Sequence, residues 1–334
     1  MTNKGNLAVR LAITAGLAMA VLQSASAQPS RVTVGTGPAG TAYNQIGTAI
    51  SAGIQDALGI PATARPFGGT SQYLPMLHRG EITMGINSAL DSQEAYSGQG
   101  AYTQPLGEVR ALTLVSRSPY SFYVRADSGL TSIADLAGQP IITEYRAIAS
   151  FNQVNAAILA TAGLTPDDVR GETVAGIPDA TRALVEGRVV ASASVLGIPA
   201  LREADASISG GLRVLQLGDD EGALDAVAGF STATMEPGQA FVGIVEPTRV
   251  PHFDVFMNVG ASLPEDHAYV LAKTIHENWP AMQESMPMLR AVGQDDLAPL
   301  NFHHPYHDGA VRYFKETGLW TGEHQARQDK LLAN

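Results

Sequence analysis

The chain has no cysteine in 334 residues, so disulfides, thiolate metal sites and thiol nucleophiles are excluded together. Any chemistry must rest on oxygen and nitrogen groups. Charge is scarce too, at 16% Asp, Glu, Lys and Arg, where an average soluble protein has about 25%. Basic residues are the scarcer sign. The 21 Lys and Arg stand against 32 Asp and Glu, and a net charge of −11 repels a phosphate backbone. Nucleic acid is therefore excluded as a partner. Hydrophobic residues make up 45%, punctuated by 34 Gly and 19 Pro, which rules out disorder and low complexity. At roughly 150 residues per domain, the length suggests two domains.

Long apolar runs are missing apart from one near the start. Lys4 and Arg10 precede the stretch from Leu11 to Leu22, and Ala25-Ser26-Ala27 supplies the small-x-small pattern of a signal-peptidase site. The run is shorter than the roughly 20 residues needed to span a bilayer. Residues 1–27 thus read as a signal peptide cleaved after Ala27, which leaves a periplasmic chain that does not itself span the membrane. Loss of Lys4 and Arg10 leaves 19 basic against 32 acidic residues, a net charge of −13. Export also separates the protein from cytoplasmic ATP and NAD.

The mature sequence then repeats a unit. Arg31 to Val34 is β-branched and ends in Gly35-Thr36-Gly37-Pro38-Ala39-Gly40, after which Tyr43, Ile46, Ile50 and Ile54 recur at helical spacing. Pro61 to Pro66 reads as a second extended segment, followed by Gly68-Gly69-Thr70-Ser71 and a helix with Leu74 and Leu77. Glu81 to Ile86 is a third strand, with Asn87-Ser88 opening a helix. Three such units imply a parallel sheet covered by helices. Val109 to Val115 and Ser121 to Val124 read as strands broken at Ser118-Pro119, where the chain is expected to leave one domain. A second α/β set follows, with strands at Pro140 to Thr143, Val169 to Val174, Val189 to Val195 and Leu212 to Leu217. Val255 to Val259 is extended again, and the tail from Pro264 to Trp320 is helical in pattern, with Trp279 and Trp320 read as core.

Ligands of open parallel sheets bind outside the carboxyl ends of the strands. The glycines at positions 35, 37 and 40 match G-x-G-x-x-G, but a dinucleotide site needs an acidic residue about 20 positions on, and Arg65-Pro66-Phe67 stands there. The other use of such a loop is to present backbone N–H groups and hydroxyls to a small anion. Thr36, Thr41, Thr70, Ser71, Asn87 and Ser88 all fall on these loops, although each can also serve as an ordinary helix cap. In the second set, Glu144 to Ser150 carries Arg146, a cation able to grip a carboxylate bidentately or to pair with Glu144.

At these loops the sequence resembles the TAXI-class substrate-binding proteins of TRAP transporters. The matching residues are Val34-Gly35-Thr36-Gly37 through Thr41-Ala42-Tyr43, Gly68-Gly69-Thr70-Ser71, Asp127-Ser128-Gly129, Asp135 to Gly138, Pro237-Gly238-Gln239, and His307-Asp308-Gly309 onward to Glu316. The resemblance implies an α/β type II periplasmic-binding-protein fold, two lobes with interleaved domains joined by crossing strands. Residues 28–125 are then the first part of lobe I, 126–246 are lobe II, and 247–334 complete lobe I with C-terminal helices. It implies ligand-loop roles for Tyr43, Thr70, Ser71, Asn87 and Ser88, and Thr36, Gly40, Thr41, Gly69 and Ser150 on the same or facing loops complete the expected site. The ligand implied is an acidic amino acid, a 2-oxo acid or a related organic acid, delivered to TRAP membrane subunits; from the residues themselves, Arg146 is the expected partner of its carboxylate. Two departures stand out: Ala42-Tyr43 where members carry a Tyr-Tyr pair, and Arg146 to Ser150 where they carry a Ser-Gly-Thr-type loop. Phe241, near the return crossing, is a further contact candidate.

Enzyme readings find less. His303 and His307 have i, i+4 spacing, but Pro305 interrupts and no glutamate follows the first histidine, so His307 is read as capping. Gly-x-Ser-x-Gly is absent. The expectation is a solute receptor without catalysis or cofactor. An exported metal-assisted hydrolase and a ligand-presenting sensor partner are the alternatives.

Overall fold

The computed structural model describes residues 28–238 and 241–333; the expected signal peptide and cleavage site, and Gln239, lie outside the described residues. β1 (Val32–Thr36) leads through a five-residue loop to α1 (Ala42–Leu58), whose Tyr43, Ile46, Ile50 and Ile54 are buried at i, i+3, i+4 spacing. Thr41 caps α1 by accepting from the Asn44 N–H at 3.4 Å. Two like units follow, β2 (Ala62–Pro66) with α2 (Thr70–His78) and β3 (Met84–Ser88) with α3 (Ala89–Ser97), and β1 pairs in parallel with both strands.

β4 (Val109–Arg125) is one continuous strand, not two runs broken at Ser118-Pro119. The physical reason is where the proline falls. Pro119 is the last β4 residue paired with β10 (Thr248–Gly260), and pairing with β7 (Ala191–Val195) begins at Tyr120. The missing N–H therefore sits at a hand-over between partners, while the Pro119 carbonyl still accepts from the Leu196 N–H at 2.9 Å.

Beyond β4 come β5 (Pro140–Tyr145), α4 (Ser150–Ala160), β6 (Arg170–Val174) and α5 (Ile177–Val185), then β7, α6 (Pro199–Ser207), β8 (Leu212–Val214), β9 (Phe230–Met235) and β10. The strand order is β2-β1-β3-β10-β4-β7-β5-β6, with β8 on β4 and β9 on β10. β4 and β10 thus carry the chain between two α/β lobes in opposite directions. The tail adds α7 (Glu265–Glu277), α8 (Trp279–Ser285), α9 (Asp308–Glu316) and α10 (Gly322–Leu332). Trp279 is fully buried, and Trp320 packs against Phe302 and Tyr306. Among the described residues no helix is long and apolar enough to cross a membrane.

Candidate functional site

The loops after β1, β2, β5, β6 and β7 meet because each follows the carboxyl end of a parallel strand. They enclose a cavity whose first-lobe wall includes Pro38, Thr41, Tyr43 and Thr70, and whose second-lobe wall is Ile148, Phe151, Ile177, Ser194, Val195 and Ile198. The walls stand close. The volume between them is about 10 Å³, room for about one water.

Direct contacts join the lobes beside this cavity. Gly69 lies so near Ala147 that a Cβ there would come within 2.0 Å of the Ala147 carbonyl oxygen. The same oxygen accepts from the Ser71 N–H at 3.4 Å. Deeper in, Asp91 of α3 is only 1% exposed. Its Oδ1 accepts from Ser150 Oγ at 2.6 Å and Thr70 Oγ1 at 3.0 Å, and its Oδ2 from Ser88 Oγ at 3.0 Å. Burial pushes the Asp91 carboxyl above the usual range, opposed by the three hydroxyl bonds. Glu94, one turn further along α3, is raised from 4.5 to about 7 by burial and then by the charge of Asp91.

The expected site residues divide into groups. Thr41, Tyr43, Gly69 and Thr70 line the cavity. Ser88 caps α3 and, with Ser150, holds Asp91. Ser71 and Arg146 line a more open pocket at the mouth of the cleft, with Gln72, Gly176 and Asp179. The Arg146 side chain is exposed, and Glu144, its sequence neighbour, accepts from Thr173 instead. Thr36 is spent locally, donating to the Gly37 carbonyl and accepting from Asn44 Nδ2 at 3.1 Å. Gly40, at φ +83°, turns the loop and is not on the cavity wall. Asn87 lies behind the cavity, where its Oδ1 accepts from Asn258 Nδ2 at 2.9 Å and Asn258 Oδ1 meets His304 Nε2 at 2.6 Å. Phe241 lines a separate groove with Arg117, Met235 and His252.

Two residues escaped the sequence reading. Asp91 stands three positions after Ser88, a spacing that reads as an ordinary cap, and only its burial among hydroxyls sets it apart. Ser194 carries no motif at all. Its Oγ, like the Oη of Tyr43, is buried without a hydrogen-bond partner, and both residues line the cavity; the Tyr43 hydroxyl lies towards Ser88 without forming a bond of good geometry.

The histidines serve structure. His307 caps α9, its Nδ1 accepting from the Gly309 N–H at 3.1 Å, and burial lowers His304 to about 3, so that it is neutral. Among the described residues no cluster of three or more His, Asp or Glu side chains is placed to hold a metal ion. Arg65, where a dinucleotide site needs an acid, stacks over Phe67.

Two α/β lobes, joined by crossing strands around a cavity walled by both, are the architecture of the periplasmic binding proteins. The profile described as the NMT1-like family matches residues 34–318, and the chain belongs to that family. Among solved structures, one described as a periplasmic transporter matches with a TM-score of 0.54 at 14% identity, over 90% of this chain and 96% of its own. A protein of Bordetella bronchiseptica RB50 matches at 0.50 and 16%, over 92% and 99%. The amino acid ABC transporter substrate-binding protein AbpA of Streptococcus pneumoniae, bound to L-arginine, matches at 0.50 and 11%, over 78% and 95%. At such identities the likeness is one of fold. No curated protein sequence matches the chain.

Proposed function

We propose that this protein is an extracytoplasmic solute receptor that closes on a small carboxylate-bearing ligand and presents it to a TRAP-type membrane transporter. The observation that carries the receptor reading is the cavity between the lobes, walled from both sides at the carboxyl ends of parallel strands. A ligand touching both walls binds the closed form better than the open one, and that difference in affinity is what a membrane partner can read. Supporting a carboxylate is Arg146, whose guanidinium makes no ion pair or hydrogen bond among the described residues. It stands at the mouth of the same cleft, on a pocket that shares Pro38 with the cavity wall. The TRAP partner rests on the motif resemblance. In this reading residues 1–27 are removed on export to the periplasm, residues 28–125 and 247–334 form one lobe, and 126–246 form the other. The receptor carries its ligand without catalysis or cofactor.

The test is titration calorimetry with a panel of amino acids, 2-oxo acids and aromatic acids, on the protein and on Arg146→Ala. Loss of an ion pair at this solvated mouth costs up to about 1 kcal/mol; equal affinity in the variant removes Arg146 from the site. Uptake that survives deletion of the TRAP membrane subunits removes that partner.

A further inference from the structure

The cavity itself says more about the solute than its mouth does. Ile148, Ile177, Val195 and Ile198 are nearly or fully buried and make this space apolar, and Phe151 closes it. Two of its lining residues, Tyr43 from one lobe and Ser194 from the other, carry buried side-chain hydroxyls that have no hydrogen-bond partner. A buried hydroxyl left unpaired costs on the order of 1–3 kcal/mol, so one on each side of an apolar space points to a ligand oxygen as the missing partner. No Lys or Arg lines this inner space. Behind the wall the buried Asp91 carboxyl accepts from Thr70, a residue of the cavity lining.

We infer that the receptor selects monocarboxylates with a compact apolar body and an uncharged oxygen at the far end, and rejects dicarboxylates and acidic amino acids. The inference rests on the proposed receptor reading and deepens it. The carboxylate stays at Arg146 in the wetter mouth, the hydrocarbon displaces water from the isoleucine wall, and the distal oxygen bonds Tyr43 and Ser194. A second carboxylate at that end would be desolvated beside Asp91 with no cation to meet it.

Two isosteric series test this by calorimetry on the full protein: pentanoate, 5-hydroxypentanoate, glutarate and 1-pentanol; and benzoate, 4-hydroxybenzoate, terephthalate and 4-methylphenol. The expected result, in at least one series, is that the hydroxy acid binds about tenfold tighter than the plain acid and the diacid at least a hundredfold weaker. Ser194→Ala and Tyr43→Phe should each erase most of the tenfold preference while leaving the plain acid within about twofold, a pattern that loss of folding does not produce. Diacids binding as well as the hydroxy acids overturn the inference and leave the receptor reading intact. Binding of the neutral members alone overturns the carboxylate end at Arg146 and with it the monocarboxylate class. If no member of either series binds while some other solute does, the inference falls and the receptor stands; if the hydroxy acid binds best but the variants keep its preference, the assignment of Tyr43 and Ser194 falls.

Discussion

Ser150 Oγ donates to Asp91 Oδ1 across 2.6 Å, joining the first residue of α4 in one lobe to the first turn of α3 in the other, with both side chains at most 1% exposed. Ser150→Ala removes one of three donors from a buried carboxylate, and a cost of about 1–3 kcal/mol is expected. The closed form should bear that cost. Small-angle scattering should show a larger radius of gyration for the variant, and an unchanged radius with unchanged urea stability would show that the bond does not hold the lobes.

Gly69→Ala tests the same closure by steric means. The added methyl would lie within 2.0 Å of the Ala147 carbonyl oxygen. At φ 171° the Gly69 backbone is ordinary extended chain, so alanine is not strained there in itself. The lobes should therefore be wedged apart with little loss of unfolding free energy, giving scattering that indicates opening beside a urea midpoint close to that of the parent.

Glu94 gives a pH signature. Its carboxyl is raised from 4.5 in the unfolded chain to about 7 in the folded one, so folding takes up a proton between these values. Its contribution is fully present below pH 4.5 and is lost as pH rises through 7. His303, lowered to about 4, and His304, lowered to about 3, act oppositely, releasing protons on folding and adding stability as pH rises toward 6.5. Above pH 6.5 the histidine slope is spent. Glu94→Gln should match the parent near pH 4.5 and exceed its stability by on the order of 2 kcal/mol at pH 8; equal urea midpoints at pH 8 would show that Glu94 carries no such shift.

Asn258→Ala addresses the network behind the cavity. It strips the partner from Asn87 Oδ1 and from His304 Nε2, both wholly buried. A loss of about 2–4 kcal/mol is expected in urea unfolding, while affinity for any ligand of the cavity stays within about twofold. A large fall in affinity would instead bring Asn87 into the ligand site.

Much of the fold was legible because the three opening units carry strong periodicity: Val32 and Val34 alternate into the core, and Ile46, Ile50 and Ile54 mark one helix face. Segments with little buried surface left no such trace. α6 buries only Leu201 and Ala204, and β9 only Met235, so neither was anticipated. Pro119 misled because a proline in a strand reads as a break unless its neighbours in space are known. The loops were found from glycine and hydroxyl patterns, and Thr41, Tyr43, Gly69 and Thr70 do line the cavity. The apolar character of the wall could not be read, since Ile148, Ile177 and Ile198 come from three separate segments and look like core in each. Phe241 shows the converse: nearness to the return crossing in sequence placed it in a groove lined by residues of β4, β9 and β10, apart from the cleft.

The position of β10 between β3 and β4 also orders the protein's assembly. Asn258 and Asn87 are partners across the sheet although 171 residues separate them in sequence, and the whole second lobe is made in between. As the chain emerges from its amino end, β3 and β4 have no neighbour on their facing sides until residues 248–260 arrive, so each is an open edge with bare N–H and C=O groups. The central strand of the first sheet is the last to be delivered. A nascent chain stopped before Thr248 presents those edges to whatever is nearby, while the parallel strands β5, β6 and β7 already have one another.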